Sequence, residues 1–311
     1  MCFKRLILCC LGVLLLSSCK YPAENNIIRV GYLQNDLHHL PLFVAIEKGL
    51  FKDAGLNIEV AGIFKAGPEE MSAFAAGELD LGYVGQAPAT AAYLNRVADI
   101  KFISQSNLEG SSIVVRTDSK IKSVSDLAGR TIAIPGHATM QDFLLRKTLM
   151  KSGVSFDDIK IIVLKPPEMI QALKQKSIDA FIAWQPYPSQ AEADGTCRVL
   201  ISSADIWKNH PCCVVVAGEQ FLKNNPDKLL KIKEVHKRAC VFIENNRQAA
   251  VEIGIKNTGM DAEIVEKAVS MIKYDSRIDP DKAVQFVDFL NELRYIRSQK
   301  NQRSIQDVFN H

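Results

Sequence analysis

From Ile27 onward the chain alternates short runs of strand-type residues with helix-length stretches, and this alternation restricts the fold more than any single motif does. Ile27–Leu33, Asn57–Ala61, Leu79–Val84 and Ile100–Gln105 read as strands. Between them Leu40–Lys48 reads as a helix stopped at Gly49, Pro68–Ala76 as a helix with proline near its first turn, and Ala89–Val97 as a third. A second series follows Ser111–Arg116, with strands at Thr131–Pro135, Ile159–Leu164 and Ile178–Ala183 and helices at Thr139–Lys151 and Pro167–Lys174. Strands separated by helices of about ten residues call for mostly parallel sheets with helices on both faces. From Glu219 the chain turns almost wholly helical, with Pro226, Asp261 and Pro280 near helix starts. The expected fold class is α/β, with two lobes, each a mostly parallel sheet flanked by helices, and a helical C-terminal region. Residues 27–110 are expected to form the first lobe, 111–207 the second, and 208–311 the return to the first lobe and the C-terminal helices. The crossings should fall near Asn107–Ser112 and Ser203–His210.

One internal echo accompanies this layout. Met71–Asp80 followed by Leu81–Gln86 resembles Ile170–Asp179 followed by Ala180–Gln185. Both read as helix, turn, acidic residue, apolar strand, and then a glutamine before a proline-bearing helix start. Two similar α/β lobes would produce this, and so would chance likeness between two ordinary helix–strand units.

The first residues have the parts of an export signal: Lys4 and Arg5, an apolar run of about 11 residues from Leu6 to Leu16, then Ser17-Ser18-Cys19. That run is well short of the roughly 20 residues a spanning helix needs. Cys19 after two serines resembles the lipobox of bacterial lipoproteins, whose cysteine is lipidated and becomes the new N-terminus. Residues 1–18 are therefore expected to be a signal peptide and 19–26 a lipidated tether, with the protein exported and anchored facing the periplasm or the cell exterior. Removing 18 residues from 311 leaves 293, enough for two compact lobes. The net charge of +3 less the two leader cations leaves about +1, without a basic cluster of the kind that tracks phosphates, so nucleic acid is not an expected partner.

Of the eight cysteines, Cys2, Cys9 and Cys10 leave with the leader and Cys19 carries lipid, so Cys197, Cys212, Cys213 and Cys240 remain. These allow three disulfide pairings, among which the sequence does not choose, or no disulfide at all. Their spacing contains no Cys-x-x-Cys and fits no zinc pattern, so neither a metal nor another cofactor is expected.

Ligands of open α/β sheets lie beyond the carboxyl ends of the strands, at helix starts. Four such places carry candidate residues. His38 and His39 follow the first strand; adjacent histidines in an extended loop cannot face one point, so one is expected to meet solute and the other solvent. Gln86 and Ala87 open a helix after Gly85, where free N–H groups favour an acceptor. Gly136, His137 and Thr139 are their counterparts in the second lobe, Thr139 serving equally well as a helix cap. Trp184 and Gln185 end a later strand; an indole face there either stacks a planar solute or packs into the lobe. Ser111 and His210 stand at the two crossings. No Gly-x-Ser-x-Gly elbow, glycine-rich phosphate loop or His-Glu-x-x-His occurs, so no catalytic residue is assigned.

Several blocks together resemble a known family. Val30-Gly31-Tyr32-Leu33, Pro41 to Phe51, Ala54 to Glu59, Ala76 to Asp80, Gly85 to Pro88, Ser125 to Ile134 and Ile178 to Pro186 are similar, in order, to solute-binding proteins of ABC importers. The branch is the one that handles nitrate, sulfonates, taurine and thiamine-pyrimidine precursors. The resemblance implies a type II periplasmic-binding-protein fold whose two lobes close over one small solute: a sulfonate, a nitrate-like anion or a pyrimidine-like compound. It also implies a monomer that docks on a membrane permease with its ATPase. The rival reading is an enzyme of the same fold related to thiamine-pyrimidine synthesis, against which the export signal argues.

Overall fold

The computed structural model describes residues 27–297 and 303–310. The expected signal peptide, tether and lipidated Cys19 lie outside the described residues. Among the described residues no helix is long and apolar enough to cross a membrane.

Strands β1 (Ile27–Leu33), β2 (Asn57–Phe64), β3 (Leu81–Gly85) and β4 (Ile100–Glu109) begin a first sheet. Strands β5 (Ser111–Arg116), β6 (Thr131–Ile134), β7 (Lys160–Val163), β8 (Ala180–Trp184) and β9 (Cys197–Ser202) form a second. The chain then returns, adding β10 (Pro211–Gly218) and the short β11 (Ile272–Tyr274) to the first sheet. The strand orders are β11-β4-β10-β3-β1-β2 and β7-β6-β8-β5-β9. Only β1 with β2 and β3, and β6 with β7 and β8, pair in parallel; the remaining pairs are antiparallel. The expectation of mostly parallel sheets is therefore corrected: both sheets are mixed. The cause is the double crossing. Strands that feed a loop run toward the space between the lobes, whereas β5 and β10 have just crossed that space and run away from it.

The echo in the sequence has a structural counterpart. Asp80 and Arg29 exchange backbone bonds, the Asp80 N–H donating to the Arg29 carbonyl at 2.9 Å while the Asp80 carboxylate accepts the Arg29 N–H at 2.9 Å. Asp179 repeats both bonds with Thr131, each at 2.9 Å. In each lobe this carboxylate ties the entry of a strand to that of its parallel neighbour, leaving the far ends, with Gln86 and Gln185, in equivalent positions between the lobes.

Local chemistry sets the helices that hold these ends. Leu40–Glu47 has Pro41 in its first turn, where no N–H is needed, and the chain leaves it through Gly49 at φ +68°. Gly67–Ala75 again starts with proline and carries Glu69 and Glu70 in its first turn. Three apolar clusters make the core, and one of them runs from the first lobe into the second. At its centre Phe143, from the helix Met140–Lys151, lies 4.6 Å from both Phe286 and Phe289 of the helix Pro280–Glu292. Aromatic pairs of this kind add about 0.5–1.5 kcal/mol each beyond their buried area. The helical C-terminal region thus packs against a second-lobe helix as well as the first sheet, and the lobes stand closed on each other.

Candidate functional site

After β1 the chain makes a 3-10 turn, Leu37–His39, capped by Asp36, whose Oδ1 accepts the His38 N–H at 2.8 Å. Successive residues in such a turn diverge by about 120°. His38 and His39 therefore point different ways, yet both are buried, at 1% and 0% exposure. The expectation that one of them meets solvent is overturned, because the segment is a turn under the second lobe and not an extended loop. The His38 Nε2–H donates to the Gly110 carbonyl at 2.9 Å, so the other ring nitrogen, Nδ1, faces the remaining groups. Around Nδ1 stand Asp36 Oδ1 at 3.5 Å, Cys212 Sγ at 3.5 Å and Cys213 Sγ at 3.6 Å. His39 has the opposite tautomer. Its Nδ1 accepts the Leu33 N–H at 3.2 Å, so the proton sits on Nε2, which lies 3.8 Å from Asp36 and has no hydrogen-bond partner among the described residues.

Gly110 makes this closeness possible. It takes φ +90°, and a Cβ there would stand 2.4 Å from His38 Nε2. Its carbonyl also accepts the Gln185 N–H at 2.9 Å, so one crossing residue joins both lobes.

The electrostatics of this group follow from burial and mutual contact. Burial pushes the Asp36 carboxyl up to about 7, against the opposing pull of His38. Burial by itself would lower His38, but the Cys212 and Asp36 charges outweigh it and raise the imidazole above its ordinary value. Burial would also raise Cys212, yet the Cys213 hydrogen bond and the His38 charge bring this thiol well below the usual range. His39 is driven well below the ordinary imidazole value, first by burial and then by His38.

A second set of first-lobe groups lies beside the first. Glu70 is fully buried and faces Gly82 of β3, where a Cβ would lie 2.5 Å from Oε1; the glycine leaves the carboxyl its place. The Tyr83 N–H is near but outside hydrogen-bonding geometry, and neither carboxyl oxygen has a partner among the described residues. Burial drives this carboxyl well above its ordinary value, which favours the neutral acid. Both amide atoms of Gln86 and the Thr90 hydroxyl are likewise buried without a partner among the described residues. Each such group costs on the order of 1–3 kcal/mol, so a folded protein seldom keeps several together without a use for them.

The second lobe meets these groups mainly through its backbone. The Leu37 N–H donates to the Gln185 carbonyl at 3.2 Å, and the Ala87 N–H reaches the Met140 Sδ at 3.3 Å. Gln185 precedes a cis peptide bond to Pro186, and its Oε1 accepts the Ser189 N–H at 3.3 Å. Ser111 is bound on both sides, its N–H donating to Ser203 Oγ at 3.1 Å and its hydroxyl accepting from Gln141 at 3.0 Å.

With the geometry in place, comparison with known proteins follows directly. The profile of the NMT1-like family matches residues 21–255. The chain belongs to this family. A Bacillus subtilis protein named as an aliphatic sulfonates-binding protein is 29% identical to it over 266 residues, 83% of this chain and 77% of that one. The crystal structure of the periplasmic aliphatic sulphonate binding protein SsuA from Escherichia coli superposes with a TM-score of 0.77 at 22% identity, covering 91% of this chain and 97% of that one. The periplasmic nitrate-binding protein NrtA from Synechocystis PCC 6803 gives 0.80 at 17% identity, covering 92% and 86%. These two structures share the two-lobed fold of periplasmic binding proteins.

In this NMT1-like protein the residues expected from sequence separate into two groups. His38, His39, Gln86, Ala87, Ser111, Gln185 and His210 are buried where the lobes meet the crossings. His210 donates from Nδ1 to the Pro211 carbonyl at 3.0 Å, and its Nε2 has no partner among the described residues. Trp184 sits in the apolar cluster of the second lobe, edge-on to Tyr187 at 6.0 Å, so packing accounts for its ring. Its unpartnered indole N–H is what packing leaves unexplained. Gly136, His137 and Thr139 precede Met140, whose sulfur meets the Ala87 N–H. The His137 side chain is 60% exposed. Thr139 spends both hydrogen-bonding roles on capping, accepting the Asp142 N–H at 3.2 Å and donating to the Gly136 carbonyl at 2.7 Å. Asp36, Glu70 and Thr90 were not singled out from sequence. Acidic residues in loops and first helical turns read as solvated, and the one usable signal for Glu70 is the glycine opposite it on β3. The described cysteines are all free and buried, so none of the possible disulfides forms among them.

Proposed function

We propose that this chain is the extracytoplasmic substrate-binding component of an ABC importer, held to the membrane by lipid on Cys19. As a monomer it closes its two lobes over one small solute and delivers it to a membrane permease and its ATPase. It performs no chemistry on that solute. The observation that carries this reading is the set of buried, unpartnered polar atoms at the interlobe junction, on Glu70, Gln86, Thr90, His39 and His210. Closure favours a solute only if the closed state gives it contacts the open state lacks, and these atoms supply them.

The same atoms narrow the solute class. Among the described residues no lysine or arginine is buried, whereas Asp36 and Glu70 are. The raised His38 imidazole is matched by the Cys212 thiol that lowers beside it. An oxoanion would be desolvated next to two carboxyl groups without a cation to neutralise it. A planar nitrogen heterocycle with amino substituents presents donors to Asp36 and acceptors to the Glu70 acid and the Gln86 amide. We therefore favour the pyrimidine-like solute over the sulfonate named for the Bacillus subtilis relative.

The test is a thermal-shift titration of the purified protein with aminopyrimidines, short alkanesulfonates and nitrate. A true solute at 100 times its dissociation constant stabilises the protein by about 2.7 kcal/mol. A shift with sulfonate or nitrate and none with aminopyrimidines would overturn the choice of solute. Turnover of an aminopyrimidine would overturn the assignment as a binding protein.

A further inference from the structure

Three ligand-type atoms converge on one point at the first crossing: His38 Nδ1, Cys212 Sγ and Cys213 Sγ, all within 4.8 Å of one another and all buried. Two adjacent residues of a regular strand point to opposite faces. Here β10 shifts register on both sides of Cys213, between Pro211 and Cys213 and again before Val214, and both sulfurs come to the same imidazole nitrogen. Both sulfurs thus face a single ring nitrogen at nearly equal distance.

The separations match another arrangement. Around a tetrahedral zinc ion, with Zn–S bonds of about 2.3 Å and Zn–N bonds of about 2.0–2.1 Å, a nitrogen and a sulfur stand about 3.6 Å apart. The two N–S distances here are 3.5 and 3.6 Å. The outer support is also present. A metal-bound histidine ordinarily donates its other ring N–H to a carbonyl or carboxylate, and His38 Nε2–H donates to Gly110 at 2.9 Å.

We propose that His38, Cys212 and Cys213 supply three of the four positions of a tetrahedral site for one divalent cation of the zinc class, the fourth being open to water. Two thiolates and an imidazole select borderline to soft ions such as zinc, cobalt and cadmium over magnesium or calcium. His39 is not a ligand, because its Nε2 carries the proton while Nδ1 is engaged by Leu33. Binding displaces two protons from the His38, Cys212 and Cys213 group to solvent and leaves two metal–sulfur bonds and one metal–nitrogen bond in their place, with no change of oxidation state. Linear spacing conceals the site, since His38 and Cys212 are 174 residues apart. The proposal goes beyond the solute reading and does not rest on it.

The reduced full chain, free of any organic solute, is titrated with cobalt(II) under nitrogen and then with zinc. The expected result is one equivalent of cobalt with the intense visible bands of a tetrahedral ion and thiolate-to-cobalt charge transfer, both erased by one equivalent of zinc. Cys212→Ser/Cys213→Ser should abolish the charge-transfer band and weaken binding by more than about a hundredfold, beyond what loss of an outer partner accounts for. Cys240→Ser should leave both unchanged. X-ray absorption on the zinc-loaded natural chain gives a reading independent of whether the variants fold: sulfur neighbours at about 2.3 Å are expected. A pale six-coordinate cobalt spectrum, a charge-transfer band that survives in the double variant, or a zinc shell of oxygen and nitrogen alone would overturn the site. The thermal-shift titration is run on the metal-free chain, so the two readings fail separately.

Discussion

The two faces of the interlobe junction differ in how they use their polar groups. On the second-lobe side Asp142 is buried yet consumed: it accepts from Arg146 at 2.9 Å, from the Ala138 N–H at 3.0 Å and from the Tyr295 hydroxyl, while Thr139 caps the same helix. On the first-lobe side Glu70, Gln86 and Thr90 are buried and leave polar atoms unpartnered among the described residues. The second lobe leaves the Trp184 indole N–H and the Ser189 hydroxyl in that state. In the proposed reading the first lobe supplies most of the recognition and the second a wall of backbone contacts.

Substitutions can break this contrast, the largest effect being expected on the wall. Asp142→Ala leaves the Ala138 N–H, the Tyr295 hydroxyl and the half-buried Arg146 without their acceptor and should cost about 3–5 kcal/mol in urea unfolding, at about 1–3 kcal/mol for each such group. Its effect on solute affinity should be small once measured below the unfolding transition.

The next effect is on pH response and belongs to the first lobe. His236 is buried, donates from Nε2 to the Gln105 carbonyl at 2.7 Å and accepts the Tyr83 hydroxyl on Nδ1 at 3.0 Å, with Cys240 Sγ 3.6 Å away. Burial lowers it to about 4 from the ordinary 6.5. Between those values the unfolded chain holds a proton that the folded one refuses, so this group's contribution to stability falls as pH falls through that window. The drop is about 3 kcal/mol in all. His236→Gln, which keeps both hydrogen bonds but does not titrate there, should remove that slope from the difference between the two unfolding profiles. An unchanged slope would refute the assignment.

Glu70→Leu should move in the opposite sense to Asp142→Ala. Removing a buried acid without a partner should stabilise the fold by about 1–3 kcal/mol while costing at least tenfold in solute affinity, about 1.4 kcal/mol. A destabilised variant that binds normally would erase the contrast. The smallest effects belong to the turn before the helix Met140–Lys151. Thr139→Ala should cost about 1 kcal/mol as a lost cap, and His137→Ala should stay within about 0.5 kcal/mol, neither changing affinity.

What could be read in the sequence follows the range of the forces involved. Periods of two and 3.6, proline in first turns and Gly49 as a stop are local, and the elements they imply are present. Strand direction at β5 and β10 is not local, because it depends on a chain that crosses twice between lobes. The loop-end residues His38, Gln86 and Gln185 stand out in the sequence because strand ends are where α/β sheets bind. Glu70 was missed because its burial depends on an absent side chain at Gly82, and the Cys212–Cys213 pair because its meaning lies in a register shift and a histidine far back in the chain.

The bond from the Leu37 N–H to the Gln185 carbonyl, and that from the Gln185 N–H to Gly110, are both main-chain to main-chain. Neither depends on the identity of the Leu37 or Gln185 side chain. A lineage can therefore rewrite its recognition residues for a new cargo without losing the latch, and the clasp and the keyhole are free to evolve at different rates.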